Sequence, residues 1–200
     1  MLRAWLDRLL DRPAITEASV HDLPLTVVNT RPDIRTPDVV ARVSEAFDLI
    51  ARYTPHYCRH LQRDFAGVLV QRYACRGAFF PDQRICLVEL TFTVNPDFTA
   101  AQVAATILHE GMHARLHALG FPLEMEDRAR QERFCRRAEV EFGRLVPNGA
   151  AVIERALGTL AQSDDDVAPV IDEQLAAERI REVDRAALER RTRTDESRGS

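Results

Sequence analysis

Three residues near the middle of the chain have types and spacing that suit metal chemistry. His109, Glu110 and His113 form the pattern His-Glu-x-x-His. On a helix, residues four apart lie on one face, about 6 Å apart along the axis, so both imidazoles could bind one tetrahedral zinc ion. Glu110 lies about 100° further round and can reach a water molecule on that metal. The pattern predicts hydrolysis, in which zinc lowers the pKa of the water and Glu110 takes its proton.

The residues around this motif predict that its helix is buried. The polar side chains fall in one sector of the helix, and Arg115 is the one charged residue on the remaining, otherwise apolar circumference. A helix that is apolar nearly all round is buried, and buried His and Glu side chains need partners. A metal ion would satisfy them. The alternative is a buried helix whose histidines bond the neighbouring backbone. The sector contains Gln102, Thr106, His109, Glu110, His113 and His117.

Both ends of the motif helix are marked in the sequence. Thr99 is a predicted N-cap, and Gln102 three residues later completes a capping box. Gly120 is placed to end the helix, with Pro122 just beyond it. We therefore expect a helix over residues 100–119, with the motif in its middle.

A catalytic zinc ion usually takes three protein ligands and a water molecule, so a third ligand must come from elsewhere. His117 lies about 12 Å along the axis from His109, too far to share a metal with bonds of about 2 Å. We expect it near the cleft wall, touching substrate or a ligand, or as an ordinary buried histidine. A further helix is predicted over residues 124–145, and Glu132 and Glu139 share one of its faces.

This arrangement resembles the gluzincin clan of zincin metallopeptidases, over about residues 67–145. In that clan the third zinc ligand is a Glu on a later helix, and here Glu132 follows His113 by nineteen residues. The resemblance implies a zinc ion held by His109, His113 and Glu132, with Glu110 as general base. It also implies peptides or proteins as substrates.

Three neighbours of Glu132 on its helix have their own expectations. Glu139 is the second choice as ligand, and otherwise a hydrogen-bond acceptor for the N–H of a ligand histidine. Cys135 suits a structural metal site better than a catalytic one. Arg136 stands where thermolysin-like enzymes place an acid that orients a histidine.

The remaining patterns predict an α+β fold, mostly helical, with a small zincin-like antiparallel sheet packed on the motif helix. Period-two segments at 68–73 and 84–94 predict strands of a hairpin, and 25–28 predicts a short strand. The 84–94 strand could pair with an extended peptide, or be an ordinary core strand. Further helices are predicted at 1–10, where an amphipathic helix would dock, and at 36–53, 55–64, 150–160 and 169–190.

Composition suggests one domain with an appendage. Residues 1–162 contain 20 acidic residues and 20 Arg, whereas 163–200 contain 11 acidic residues and 7 Arg. We expect a metallopeptidase domain over 1–162, and over 163–200 a charged helix followed by about ten disordered residues. The neutral body argues against nucleic acid as the main partner.

Location and partners follow from what else the sequence contains. No apolar run is long enough to span a membrane, and four cysteines without a CxxC pair suggest a bacterial-type cytoplasmic protein with free thiols. A disulfide between Cys75 and Cys86 stays open as an alternative, and the oligomeric state is not predicted. Two functions remain in competition: a zinc-dependent peptidase, and a non-catalytic, zinc-stabilised binding or regulatory domain.

Overall fold

The structure is a computed structural model that describes residues 14–122, 125–167 and 173–198. The amphipathic helix expected at 1–10 lies outside these residues. The strands are β1 (Ala14–Val20), β2 (Leu23–Asn29), β3 (Gly67–Gln71), β4 (Gly77–Phe80) and β5 (Ile85–Glu89). The helices are α1 (Thr36–Tyr53), α2 (Pro55–Asp64), α3 (Leu90–Val94), α4 (Ala100–Ala118), α5 (Met125–Leu145), α6 (Ala150–Leu160), α7 (Asp164–Val167) and α8 (Glu173–Arg198). The predicted α+β class, mostly helical with a small sheet, is confirmed.

The sheet has five strands in the order β1-β2-β3-β5-β4. The hairpin strands β1 and β2 pair antiparallel, as do β4 and β5, whereas β3 runs parallel to both of its neighbours. The expectation of an antiparallel sheet is therefore wrong for its centre. The reason is topological: the edge strand β4, which the sequence did not predict, takes the antiparallel place beside β5, and this leaves the parallel position to β3.

The segment predicted as one long strand at 84–94 divides into a strand and a short helix. The strand β5 ends at Glu89, whose carboxylate Oε2 accepts a hydrogen bond from the backbone N–H of Phe92 at 2.6 Å. This N-cap begins α3. Since β5 pairs on both sides, with β3 and β4, it is an inner strand, and the idea that a peptide adds to it is wrong.

The motif helix α4 runs through the middle of the core. The predicted capping box is present: Thr99 Oγ1 accepts from the N–H of Gln102, and the Gln102 side chain accepts from the N–H of Thr99 at 2.9 Å. The helix packs against α1, α2, α5 and the strands β4 and β5. It is buried for most of its length, including both His109 and Glu110. Its length, ends and burial agree with the sequence-based prediction.

Helix α8 lies against the body through charged contacts. Asp184 accepts hydrogen bonds from Arg31 at 3.0 Å and from Arg72 at 3.1 Å. A groove of about 350 Å³ lies between the helix and the body, and Arg72 and Val183 are among its lining residues. The helix continues to Arg198, past residue 190, where the sequence predicted its end.

None of the helices within the described ranges is long and apolar enough to cross a membrane.

Candidate metal centre

The helical hairpin of α4 and α5 brings the candidate ligands together. The Nε2 atoms of His109 and His113 lie 3.2 Å apart. From the facing helix, one carboxylate oxygen of Glu132 lies 3.2 Å from the Nε2 of His109, and the other lies 3.3 Å from the Nε2 of His113. Two donors bound to a tetrahedral zinc at about 2.0–2.1 Å lie about 3.3 Å apart. Each of these three separations therefore matches the spacing of two donors on a tetrahedral zinc, with a different carboxylate oxygen of Glu132 near each imidazole.

Glu139 lies on the other side of the His109 ring. Its Oε1 accepts a hydrogen bond from Nδ1 of His109 at 2.7 Å, and Glu139 is almost completely buried. This contact turns the Nε2 of His109 toward His113 and Glu132. Carboxylates commonly orient metal-binding histidines in this way. The geometry places Glu139 at Nδ1 of His109 and Glu132 at the Nε2 atoms of both histidines.

Arg136 joins the two acids of α5. Its Nη1 donates to Glu139 Oε1 at 2.7 Å, and its Nη2 lies 3.8 Å from a Glu132 oxygen. The motif resemblance alone identifies this position only as one where an acid is missing. In the structure, the acid that orients the histidine is Glu139, one turn further along, and Arg136 holds that acid in place.

The electrostatics of the cluster favour a cation between the acids. Burial lowers the pKa of His109, but hydrogen bonds to Glu132 and Glu139 outweigh this effect and raise the pKa to about 10. Burial raises the pKa of Glu132, and the two histidines more than offset it, so the net shift is downward. The pKa of Glu139 is also lowered, because His109 and Arg136 outweigh burial. These directions show that the two carboxylates are stabilised as anions by the positive charge of their neighbours, a part that a bound divalent metal could also take.

Glu110 is buried beneath the edge strand β4. Burial raises the pKa of its carboxyl group, and the neighbouring His109 and His113 partly offset the effect. A carboxylate with a raised pKa is better suited to accept a proton near neutral pH. A Cβ atom placed on Gly77 would lie 2.9 Å from Glu110 Oε1 and 2.6 Å from a methyl of Thr106. Glycine therefore lets β4 pass close over the motif helix at this carboxylate.

Cys135 is a further donor at the site, and it is fully buried. Its Sγ and one ring nitrogen each of His109 and His113 all lie within 4.8 Å of one another, so this His-His-Cys group could hold a metal ion. Burial and the nearby acids raise the pKa of the thiol well above its usual range. None of the four cysteines forms a disulfide in the structure, so the alternative of a bond between Cys75 and Cys86 is not supported.

His117 lies outside this cluster. Its ring contacts Phe79 of β4 at a centroid distance of 6.1 Å, and it is half-buried. It therefore lies between the end of the motif helix and the edge strand. Whether it contacts a substrate stays a prediction.

Two arginines near the site could not be found from local patterns. Arg76 precedes β4 and lies over the rings of Phe92 and Phe98, at 5.1 and 4.4 Å from their centroids. The pKa of Arg155 on α6 is lowered by burial, and Arg136 and Arg76 add to that effect. Both arginines come from elements far from the motif in sequence, so no spacing rule connects them with it.

Comparisons of the chain with protein-family models, with curated proteins and with solved structures find no match. The ligand roles therefore depend on the geometry and chemistry of this site alone.

Proposed function

We propose that the protein is a zinc-dependent hydrolase of the gluzincin type and that it cleaves peptides. The observation that carries this proposal is the convergence of His109, His113 and Glu132: the two Nε2 atoms lie 3.2 Å apart, and each has a different carboxylate oxygen of Glu132 within 3.3 Å. Two imidazoles and a carboxylate are a ligand set of catalytic zinc, which leaves the fourth position to water. When bound, zinc would lower the pKa of that water and polarise the scissile carbonyl group.

The remaining roles in the reaction belong to residues of the protein itself. Glu110 accepts the proton of the attacking water and passes it to the leaving amine. Glu139 keeps the His109 ring in its binding orientation, and Arg136 holds Glu139. Arg76 and Arg155 are the nearby cations that could stabilise negative charge developing on the substrate.

Peptides are favoured as substrates by the position of β4. This strand pairs only with β5 among the described strands and passes over Glu110 at Gly77. An extended peptide could add to its free edge through backbone hydrogen bonds, which would place a peptide carbonyl beside the general base. The free thiols fit a reducing cytoplasm, where we place the protein.

The test is zinc content and peptide cleavage in the Glu110→Gln variant. The amide keeps the size of the side chain but cannot accept the proton, so we expect one zinc per chain and cleavage reduced by about 100-fold or more. Cleavage is measured by mass spectrometry on a proteome-derived peptide library. Glu141→Gln, an exposed change on α5, is the control and should leave both values unchanged.

Two outcomes of this experiment would contradict the proposal in different ways. A wild-type protein purified without chelator that contains no zinc would exclude the metal site. A wild-type protein that binds one zinc but cleaves nothing in the library would instead favour the non-catalytic, zinc-stabilised binding or regulatory domain.

A further inference from the structure

The thiol of Cys135 lies on the same face of α5 as the two acids of the site. It follows Glu132 by three residues, which is one helical turn, and precedes Glu139 by four. It has no exposed surface, and its Sγ lies within 4.8 Å of a ring nitrogen of both His109 and His113. The site therefore has a fourth potential donor that the peptidase mechanism does not use.

Sulfur at this place suits the same metal ion. Zinc binds thiolate at about 2.3 Å and imidazole at about 2.0–2.1 Å, so sulfur and nitrogen donors of a tetrahedral site lie about 3.6 Å apart. The separations of at most 4.8 Å exceed this value by about an ångström or less, a gap that combined small movements of the cysteine and the two imidazoles would close. Two imidazoles, a carboxylate and a thiolate together fill a tetrahedral site.

We propose that Cys135 is the fourth protein ligand in the resting protein, so that the metal site is closed until the thiolate leaves. This inference depends on the metal site of the proposed function and adds a means of regulating it. When the sulfur–metal bond forms, the S–H bond breaks and the thiol proton passes to solvent. A site with four protein ligands has no position for water, so hydrolysis requires Cys135 to turn away first.

The other buried cysteines show that burial alone does not make a ligand. Cys58 and Cys86 are also buried thiols, yet within the part of the chain that the structure describes they belong to no group of metal donors. Cys58 lies on α2, where its Sγ is 4.0 Å from Nδ1 of His21. A Cys58→Ser change therefore removes a buried thiol without touching the site and provides a matched control.

The experiment replaces zinc with Co²⁺ in the full-length protein and records its absorption spectrum. We expect wild type and Cys58→Ser to show a near-ultraviolet sulfur-to-cobalt charge-transfer band, and Cys135→Ser to lose it while still binding cobalt. The visible d–d bands report cobalt binding independently of sulfur. X-ray absorption of the wild-type zinc protein, which needs no variant, should show one sulfur at about 2.3 Å.

The possible results separate this inference from the proposed function. Stoichiometric metal with d–d bands but no sulfur band and no sulfur scatterer would overturn the role of Cys135 and leave the peptidase proposal intact. A wild-type protein that binds neither metal would remove both proposals.

Closure of the metal site by the Cys135 thiolate is tested by measuring the rate of peptide cleavage. Zinc-saturated Cys135→Ala, with one zinc per chain verified, should cleave the peptide library faster than wild type and Cys58→Ser, because its water position is always open. Cleavage no faster than wild type would contradict closure by the thiolate.

Discussion

At the scale of single residues, the site is defined by which carboxylate faces which nitrogen. Glu132 lies at the Nε2 atoms of both histidines, where a metal would bind, whereas Glu139 lies at Nδ1 of His109, on the opposite edge of the ring. One acid is thus placed to bind the metal and the other to orient a ligand. The two roles predict different losses of zinc affinity when each acid is removed.

The first prediction compares Glu132→Ala with Glu139→Ala. Loss of a ligand should lower zinc affinity by orders of magnitude, whereas loss of the orienting acid should cost about 10–100-fold. Zinc affinity is measured by competition with a chromophoric chelator. Glu141→Ala, on the exposed side of the same helix, is the control and should leave the zinc affinity unchanged. A larger loss in Glu139→Ala than in Glu132→Ala would reverse the assignment.

At the scale of elements, the motif helix is fixed by close approach to its neighbours. A Cβ atom on Gly111, inside the motif, would lie 2.0 Å from Cδ2 of Leu61 on α2. The glycine therefore lets the Leu61 side chain of α2 pack directly against the backbone of α4. The same helix meets β4 at Gly77, on the side where Glu110 lies.

The second prediction is that Gly111→Ala destabilises the protein. Alanine favours a helix interior by about 1 kcal/mol over glycine, but overpacking against Leu61 costs about 1–3 kcal/mol or more. We expect a net loss of about 1–2 kcal/mol in the free energy of unfolding, measured by urea denaturation. The control is Gly158→Ala on α6, where a Cβ would meet no atom within 4 Å, and it should be neutral or stabilising.

A partial rescue would identify the cause of that loss. In the double variant Gly111→Ala/Leu61→Ala, the added methyl enters the space that the leucine leaves. The two changes should then cost less together than the sum of their separate effects. Strict additivity would show that the close approach to Leu61 is not the reason.

The helices were predictable from sequence because short local patterns mark where they begin and end. Pro37 and Pro55 near helix starts and the capping box at Thr99 set boundaries that the structure reproduces. The pairing of the strands was not predictable, since the parallel contact of β3 with β5 depends on β4, a four-residue strand without a period-two pattern. The division of 84–94 at Glu89 also escaped detection, because a cap formed by Glu resembles an ordinary strand residue.

The candidate site also has a part that was predictable from sequence and a part that was not. The positions of His109 and His113 follow from helix geometry alone, and Glu132 was reached through the family resemblance. The contacts of Arg136, the proximity of Cys135 and the approach of Arg76 depend on how separate elements pack. Sequence spacing carries no information about such distances.

At the scale of the whole molecule, one acid of α8, Asp184, joins the C-terminal helix to two arginines of the body. Asp184 contacts both Arg31 and Arg72. Each arginine also has an acid within the body, Asp33 for the first and Glu89 for the second. The body is therefore expected to remain stable when the contact with α8 is lost. The predicted division of the chain at 162/163 stays a prediction.

The third prediction is that Asp184→Asn releases α8 without unfolding the body. The uncharged amide weakens both ion pairs, so residues 173–198 should exchange amide hydrogens faster while the thermal midpoint changes little. Hydrogen exchange with mass spectrometry measures both regions in one experiment. Glu178→Gln, at an exposed position of the same helix, is the control. Exchange in 173–198 as slow as in wild type would show that the apolar lining of the groove holds the helix.

The pairing of α4 with α5 has a consequence for the cost of assembling the centre. His113 and Glu132 are nineteen residues apart, so a metal ion that joins them closes only a short loop within one helical hairpin. The entropic cost of closing a loop grows with the logarithm of the loop length. A metal ion that closes a short loop therefore has little effect on the order of distant parts of the chain. Metal binding would therefore rigidify mainly the hairpin of α4 and α5. The sheet would be ordered by the packing of its own core.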